Sequence, residues 1–139
     1  MPVCTYREQV KTRGQSEVMD ITSLAGQALQ KSGLKDGVLH VFVPGSTAAV
    51  TTIEFESGVI RDLRAAIERL VPEAVAYEHD RRWGDGNGYS HVRAALMKPG
   101  LSIPFQDSSL LLGTWQQLVL IDFDNRPRTR DIIFQILGE

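Results

Sequence analysis

Two of the three histidines in this chain stand close together: His79 in YEHD and His91 in YSHV, with Asp80, Asp85 and Asn87 between them. A neutral imidazole ligates divalent metals, and a nearby carboxylate fixes which ring nitrogen carries the proton. The same imidazoles titrate near neutrality and can act as general acid and base. The spacing matches no closed zinc signature, and a plainer reading stands beside the chemical one. In that reading His79 forms a local ion pair with Asp80, and His91 occupies the first turn of a helix, where the dipole keeps it neutral. Spacing alone does not separate the two.

Other segments invite similar pairs of readings. Pro44-Gly45-Ser46-Thr47 offers two hydroxyls and backbone N–H groups to a phosphate or carboxylate, or it is a strand corner whose hydroxyls satisfy local backbone. It lacks the lysine and following helix of a nucleotide-binding loop. Glu54 ends the next strand, as a metal ligand or base, or as a solvated strand end. Arg126, Arg128 and Arg130 alternate, so in a strand they share one face. There they suit a phosphate, or they pair with Asp122, Asp124 and Asp131. Thr114, Trp115 and Gln116 could stack on a planar ring and read its edge, or bury Trp115 against another subunit. His40, inside the apolar run VLHVFV, is expected to be a hydrogen-bonded core residue.

These candidates need elements to hold them. Strands are expected over Thr5–Thr12 and Ser16–Ile21 as a hairpin about Arg13-Gly14-Gln15, then over 38–43, 48–54, 101–105, 109–112, 116–123 and 129–137. Helices are expected over Ser23–Lys31, Gly58–Leu70 and His91–Met97, the last capped by Ser90. Residues 73–89 show no periodicity, carry glycine breakers at Gly84, Gly86 and Gly88, and read as a functional loop. Strands outnumber helices, which supports a single α+β domain with mixed or antiparallel pairing and two or three helices.

The totals narrow the function. At 139 residues the chain has the size of one domain, and its net charge of −2 gives no footprint for nucleic acid. No apolar run approaches a membrane span, and Met1–Thr12 lacks a signal peptide's apolar stretch. The lone Cys4 excludes an internal disulfide and suits a reducing compartment. A cytoplasmic protein is expected.

Together these segments resemble the YjbQ family, also called the secondary thiamine-phosphate synthase family. The resemblance rests on GVLHVFVPGSTAAVTTIE from Gly37, RDL at Arg61–Leu63, YEHD with SHVRAAL, then IPF, LGTWQ, FDNRPRTR and the terminal LGE. It implies a compact α+β subunit in a homotrimer with clefts between subunits. It also implies a weak thiamine-phosphate synthase activity, joining a hydroxymethylpyrimidine diphosphate to a thiazole phosphate with release of pyrophosphate. By position, His79, Asp80 and His91 fall on the family's paired-histidine pattern and Glu54 on its strand-end glutamate. Ser46 and Thr47 fall on the hydroxyl-rich corner, and Thr114, Trp115 and Gln116 on the GTWQ motif. Many relatives carry a histidine where this chain has Gly45, although a variant branch also reads PGST.

The roles this resemblance implies are specific. Zinc would be held by His79, His91 and Glu54, or Mg²⁺ with Glu54 and Asp80 would clamp the diphosphate. Arg128 or Arg130 would neutralise that diphosphate, His79 or His91 would move the proton, and Trp115 would face the pyrimidine. The alternative is a trimeric protein that binds a metal or a small phosphorylated metabolite without a dedicated reaction.

Overall fold

The first strand, β1 (Val3–Thr12), alternates exposed and half-buried side chains, as a strand with one face on a core must. In the computed structural model, which describes residues 1–139, it does not fold back on its neighbour β2 (Glu17–Asp20). It pairs antiparallel with β8 (Arg128–Gly138), from Val3 opposite Leu137 to Thr12 opposite Arg128. The strand β2 pairs instead with β7 (Gln117–Asp122). The expected hairpin is thus two strands in two different sheets. At the corner, Gly14 has φ 75°, and a Cβ there would lie 2.6 Å from the carbonyl oxygens of Asp124 and Arg126, so only glycine fits.

Two of the other connections that change sheets lie beside this corner. The strand β3 (Gly37–Phe42) belongs to a five-stranded antiparallel sheet ordered β1-β8-β3-β5-β6, with β5 (Gly100–Gln106) and β6 (Ser109–Leu110). The strand β4 (Ala48–Ile53) joins β2 and β7 in a three-stranded sheet ordered β2-β7-β4. Pro44–Thr47 therefore carries the chain from the large sheet to the small one, and Phe123–Pro127 carries it back. These three crossings meet at one end of the molecule: Gln15 N–H donates to the Asp124 carbonyl at 2.7 Å, and Phe123 N–H to the Thr47 carbonyl at 2.9 Å.

The small sheet is the middle layer. Its Val50, Leu118 and Leu120 pack with helix α1 (Thr22–Ser32) against Leu39, Val41, Ile132, Phe134 and Ile136 of the large sheet. On its other face Ala49, Val119 and Ile121 meet Ile67 of α2 (Ser57–Leu70) and Ala94 of α4 (Gly88–Met97). This explains why the LVLI run of β7 is continuously apolar: both of its faces are covered. Each fully buried leucine or isoleucine there contributes about 2 kcal/mol.

Capping sets the helix boundaries. The Asp20 carboxylate accepts the Thr22 N–H at 2.9 Å, opening α1. Glu56 accepts the N–H groups of Gly58 and Val59 at 2.8 Å each, opening α2; those two bonds hold its carboxyl below the ordinary range.

The 73–89 region contains a helix that the periodicity did not reveal, α3 (Glu78–Trp83). It buries no residue, so it carries no apolar stripe to read. Its remaining signals are acids in the first turn, arginines in the last, and Gly84 after the end. The next helix, α4, begins at Gly88 rather than after Ser90, because the Asp80 carboxylate accepts the Gly88 N–H at 2.8 Å. Ser90 lies inside the helix and donates to the Phe123 carbonyl. The architecture is α+β with antiparallel sheets and four helices.

His40 is not in the core. Leu39 and Val41 are the inward residues of β3, whereas Val38 and Phe42, on the His40 face, are 41% and 38% exposed. In an all-apolar run the alternation has no visible phase, so the face could not be read. The hydrogen bond expected of His40 is present, between Nδ1 and Ser102 Oγ at 2.9 Å. No helix is long and apolar enough to cross a membrane.

Candidate functional site

Where the three sheet crossings converge, polar side chains fill the space that the apolar core leaves. Asp122 and Asp124, at and just beyond the end of β7, are fully buried. Arg130 of β8 donates from Nε to Asp122 Oδ2 at 2.7 Å and from Nη2 to Oδ1 at 2.9 Å. Its Nη2 also donates to Thr47 Oγ1 at 2.6 Å, and that hydroxyl donates to Asp124 Oδ2 at 2.9 Å. Thr12 of β1 donates to Asp122 Oδ2 at 2.6 Å, and Arg128 Nε donates to Asp124 Oδ2 at 2.9 Å.

Burial alone would raise both carboxyl pKa values. The arginine and threonine donors outweigh it, so both are held below the ordinary range. The pairing expected for Arg128 and Arg130 is present. Arg126 does not share their face, because the strand starts at Arg128 and Arg126 is an exposed turn residue.

Above this network lies a hollow of about 390 Å³, lined by Gly45, Ser46, Thr47, Arg128 and Arg130 on one side and by His79, Trp83, Asp85, Asn87 and His91 on the other. The guanidinium of Arg130 borders it: a Cβ built at Gly45 would lie 3.0 Å from Nη1. Gly45 has φ 138°, a conformation that side chains resist, and its bareness leaves that nitrogen accessible.

The histidine pair forms the opposite wall. Their ring centroids are 4.3 Å apart, tilted by 38°. His79 Nδ1 is buried with no hydrogen-bond partner, 3.6 Å from Asp80 Oδ1 and 3.4 Å from Asp85 Oδ1. One ligand atom from each of these residues falls within 4.8 Å of the other two. Ligand atoms about 2.1 Å from a common tetrahedral ion stand roughly 3.4 Å apart, so the spacing suits a divalent cation.

With its amide nitrogen turned toward Asp85, Asn87 donates to both carboxylate oxygens, at 3.0 and 3.2 Å. His91 has its pKa lowered, first by burial and then by His79, against the opposing pull of Asp85, Asp124 and Asp80. A neutral imidazole beside a cation-ready triad can ligate or accept a proton.

The other residues singled out in the sequence lie elsewhere. Glu54 follows the far end of β4, roughly 20 Å along the strand from Thr47. Thr114, Trp115 and Gln116 lie near it: Gln116 donates to Thr52 Oγ1 at 3.1 Å, and Gln117 accepts the Phe55 N–H at 2.8 Å. Trp115 is 74% exposed. Within one chain, therefore, neither Glu54 nor the GTWQ motif joins the histidines.

Three residues take part that the candidate set omitted. Asp85 supplies the third donor, Asn87 orients it, and Trp83 rather than Trp115 lines the hollow. The legible signal for Asp85 and Asn87 was their place between the histidines; none marked Trp83. A larger hollow, about 770 Å³, opens on the outer face of the large sheet beside Val38 and His40. It too carries titratable side chains, Asp36, His40 and Glu139, beside Met1, Val38 and Leu137. The His and carboxylate ligand atoms close enough to share one ion are those of His79, Asp80 and Asp85, so the chemistry is assigned to the smaller one.

The family described as UPF0047 protein YjbQ-like matches residues 7–139. The chain belongs to the YjbQ/UPF0047 family. It is 34% identical over 139 residues to a UPF0047 protein of Methanothermobacter thermautotrophicus, covering all of this chain and 95% of that one. It is 29% identical to the UPF0047 protein YugU of Bacillus subtilis, over 94% of this chain and 96% of that one. Among solved structures, a YbjQ-like protein of unknown function from Sulfolobus solfataricus superposes with a TM-score of 0.89 at 30% identity, covering 99% of this chain and all of that one. An uncharacterized YjbQ/UPF0047 protein from Clostridium acetobutylicum superposes with a TM-score of 0.86 at 31% identity, covering 95% and 99%. The YjbQ/UPF0047 family is one of uncharacterised function.

Proposed function

We propose that this protein binds a small phosphorylated metabolite through a divalent cation held by His79, Asp80 and Asp85. The observation that carries the reading is the buried, unpartnered Nδ1 of His79 facing two carboxylate oxygens across from Arg128 and Arg130. A cation held there would supply positive charge to a phosphate, while Arg130 Nη1 and Ser46 would meet the remaining negative charge. Loss of pyrophosphate, as in thiamine-phosphate synthesis, is the reaction such a site serves best, because the charge that develops lies on the departing oxygens.

The distance of Glu54 and Trp115 from the histidines bears on the assembly. These residues complete one cleft only if a second copy supplies them, and a homotrimer of the chain in the cytoplasm is the corresponding arrangement.

Isothermal titration of chelator-stripped protein with Zn²⁺, Mn²⁺ and Mg²⁺, followed by pyrophosphate, tests the core of this reading. One ion per chain is expected, lost in Asp85→Ala, with pyrophosphate binding dependent on the ion. Absence of uptake for all three ions sinks the cation reading. Thiamine phosphate formed at the wild-type rate by His79→Ala and His91→Ala would remove the catalytic one. A light-scattering mass near that of one chain, 15.4 kDa, would exclude the shared cleft.

A further inference from the structure

We infer that the ligand carries a compact, mainly apolar body behind its phosphate head, and that this body crosses Gly45 to lie on α4. The inference rests on the phosphate-and-cation reading above. A second hollow, about 220 Å³, adjoins the polar one and is lined by Gly45, Ser46, Ala48, His91, Ala94, Ala95 and Pro99. The two share Gly45, Ser46 and His91.

The two hollows differ sharply in chemistry. The first collects two arginines, two histidines and a carboxylate. The second has no carboxylate, lysine or arginine; its only polar side chains are the shared Ser46 and His91. Ala95 and Pro99, with only the edges of the buried Ala48 and Ala94 beneath them, offer methyl and methylene surface, which favours apolar ligand atoms and gives a second charged group no partner.

Position 45 permits the passage between them. It bears no side chain, and any Cβ there would press on the Arg130 guanidinium. Taken together, the two volumes fall in the roughly 300–1,000 Å³ range of small-molecule sites. The ligand class is therefore a phosphate ester whose organic part is small and uncharged. Its head would rest on the arginines and cation, its body on the alanines, and the bond joining them beside His91.

The test compares inorganic phosphate with phenyl phosphate on Mn²⁺-loaded wild type and Ala95→Leu by isothermal titration. Ala95 is exposed on α4 and leucine is a good helix former, so the variant retains the fold. Phenyl phosphate is expected to bind wild type about tenfold more tightly than inorganic phosphate, the factor given by burying roughly half of the ring. Ala95→Leu should erase that margin and leave inorganic phosphate unchanged. Nuclear Overhauser contacts from the phenyl protons to the exposed Ala95 methyl are expected in wild type loaded with diamagnetic Mg²⁺ in place of Mn²⁺.

Equal wild-type affinities, a margin that survives Ala95→Leu, or contacts only to methyls outside this hollow would overturn the inference while the phosphate reading stands. If neither ligand binds, the phosphate reading fails and takes the inference with it.

Discussion

Arg130→Met tests whether the polar plug at the sheet crossings is one coupled unit. In the native protein Asp122 accepts two bonds from Arg130, one from Thr12 and one from the Asp124 N–H at 3.0 Å, with no exposed surface of its own. Methionine preserves most of the volume but removes the cation, leaving a buried carboxylate with two neutral donors. Breaking a buried pair from one side costs about 3–5 kcal/mol. A domain of this size has roughly 7–20 kcal/mol of stability, so the variant folds, with a Tm lower by about 10–15 °C.

The pH dependence sharpens the test. Asp122 is held below its ordinary pKa, so in wild type the stability it confers is full above about pH 4 and is lost as pH falls through the lowered folded value. Without Arg130, burial dominates and its pKa rises above the unfolded value. The penalty then fades as the carboxyl takes up a proton. Urea unfolding should therefore show a wild-type-to-variant gap that is wider at pH 7 than at pH 4.5. Asp122→Asn combined with Arg130→Met should recover at least half of the loss, because no charge remains unpaired. A loss below about 1 kcal/mol at pH 7, or a double variant no better than the single, would refute the coupling.

Two other outcomes follow from particular atoms. His91 should titrate below the ordinary histidine value, so the stability it affects is full above about pH 6.5 and declines as pH falls toward its folded pKa. In His79→Ala, loss of the neighbouring ring should move the NMR titration of the His91 Cε1 proton upward, and an unchanged or lower midpoint would contradict the assigned cause. The Tyr89 hydroxyl is buried without a partner, so Tyr89→Phe should leave stability unchanged or raise it by up to about 1 kcal/mol in urea unfolding. A loss of 2 kcal/mol would show that the hydroxyl is satisfied.

Local chemistry made much of this protein readable in advance. The helices α1 and α2 announced themselves through amphipathic spacing and stops at Gly33 and Pro72, and the strands through β-branched runs. The histidine site was also visible, because the residues that build it lie within one short polar stretch and a neighbouring turn brings them together. By contrast, α3 was hidden for want of a buried face, and α4 starts early because Asp80, eight residues away, holds its first N–H.

Strand partnership was beyond local reading. Short turns at Gly14, at Pro44–Thr47 and at Asp124–Pro127 look like hairpins, yet each passes between sheets. The pairing of β1 with β8 joins opposite ends of the chain, where only the closing of a common core decides which edges meet. That same closure separates Glu54 and Trp115 from the histidines, and puts Thr12, Thr47, Asp122 and Arg130, remote in sequence, around a single buried charge pair. Residue types supplied the chemistry of this site; the tertiary structure chose which of them share it.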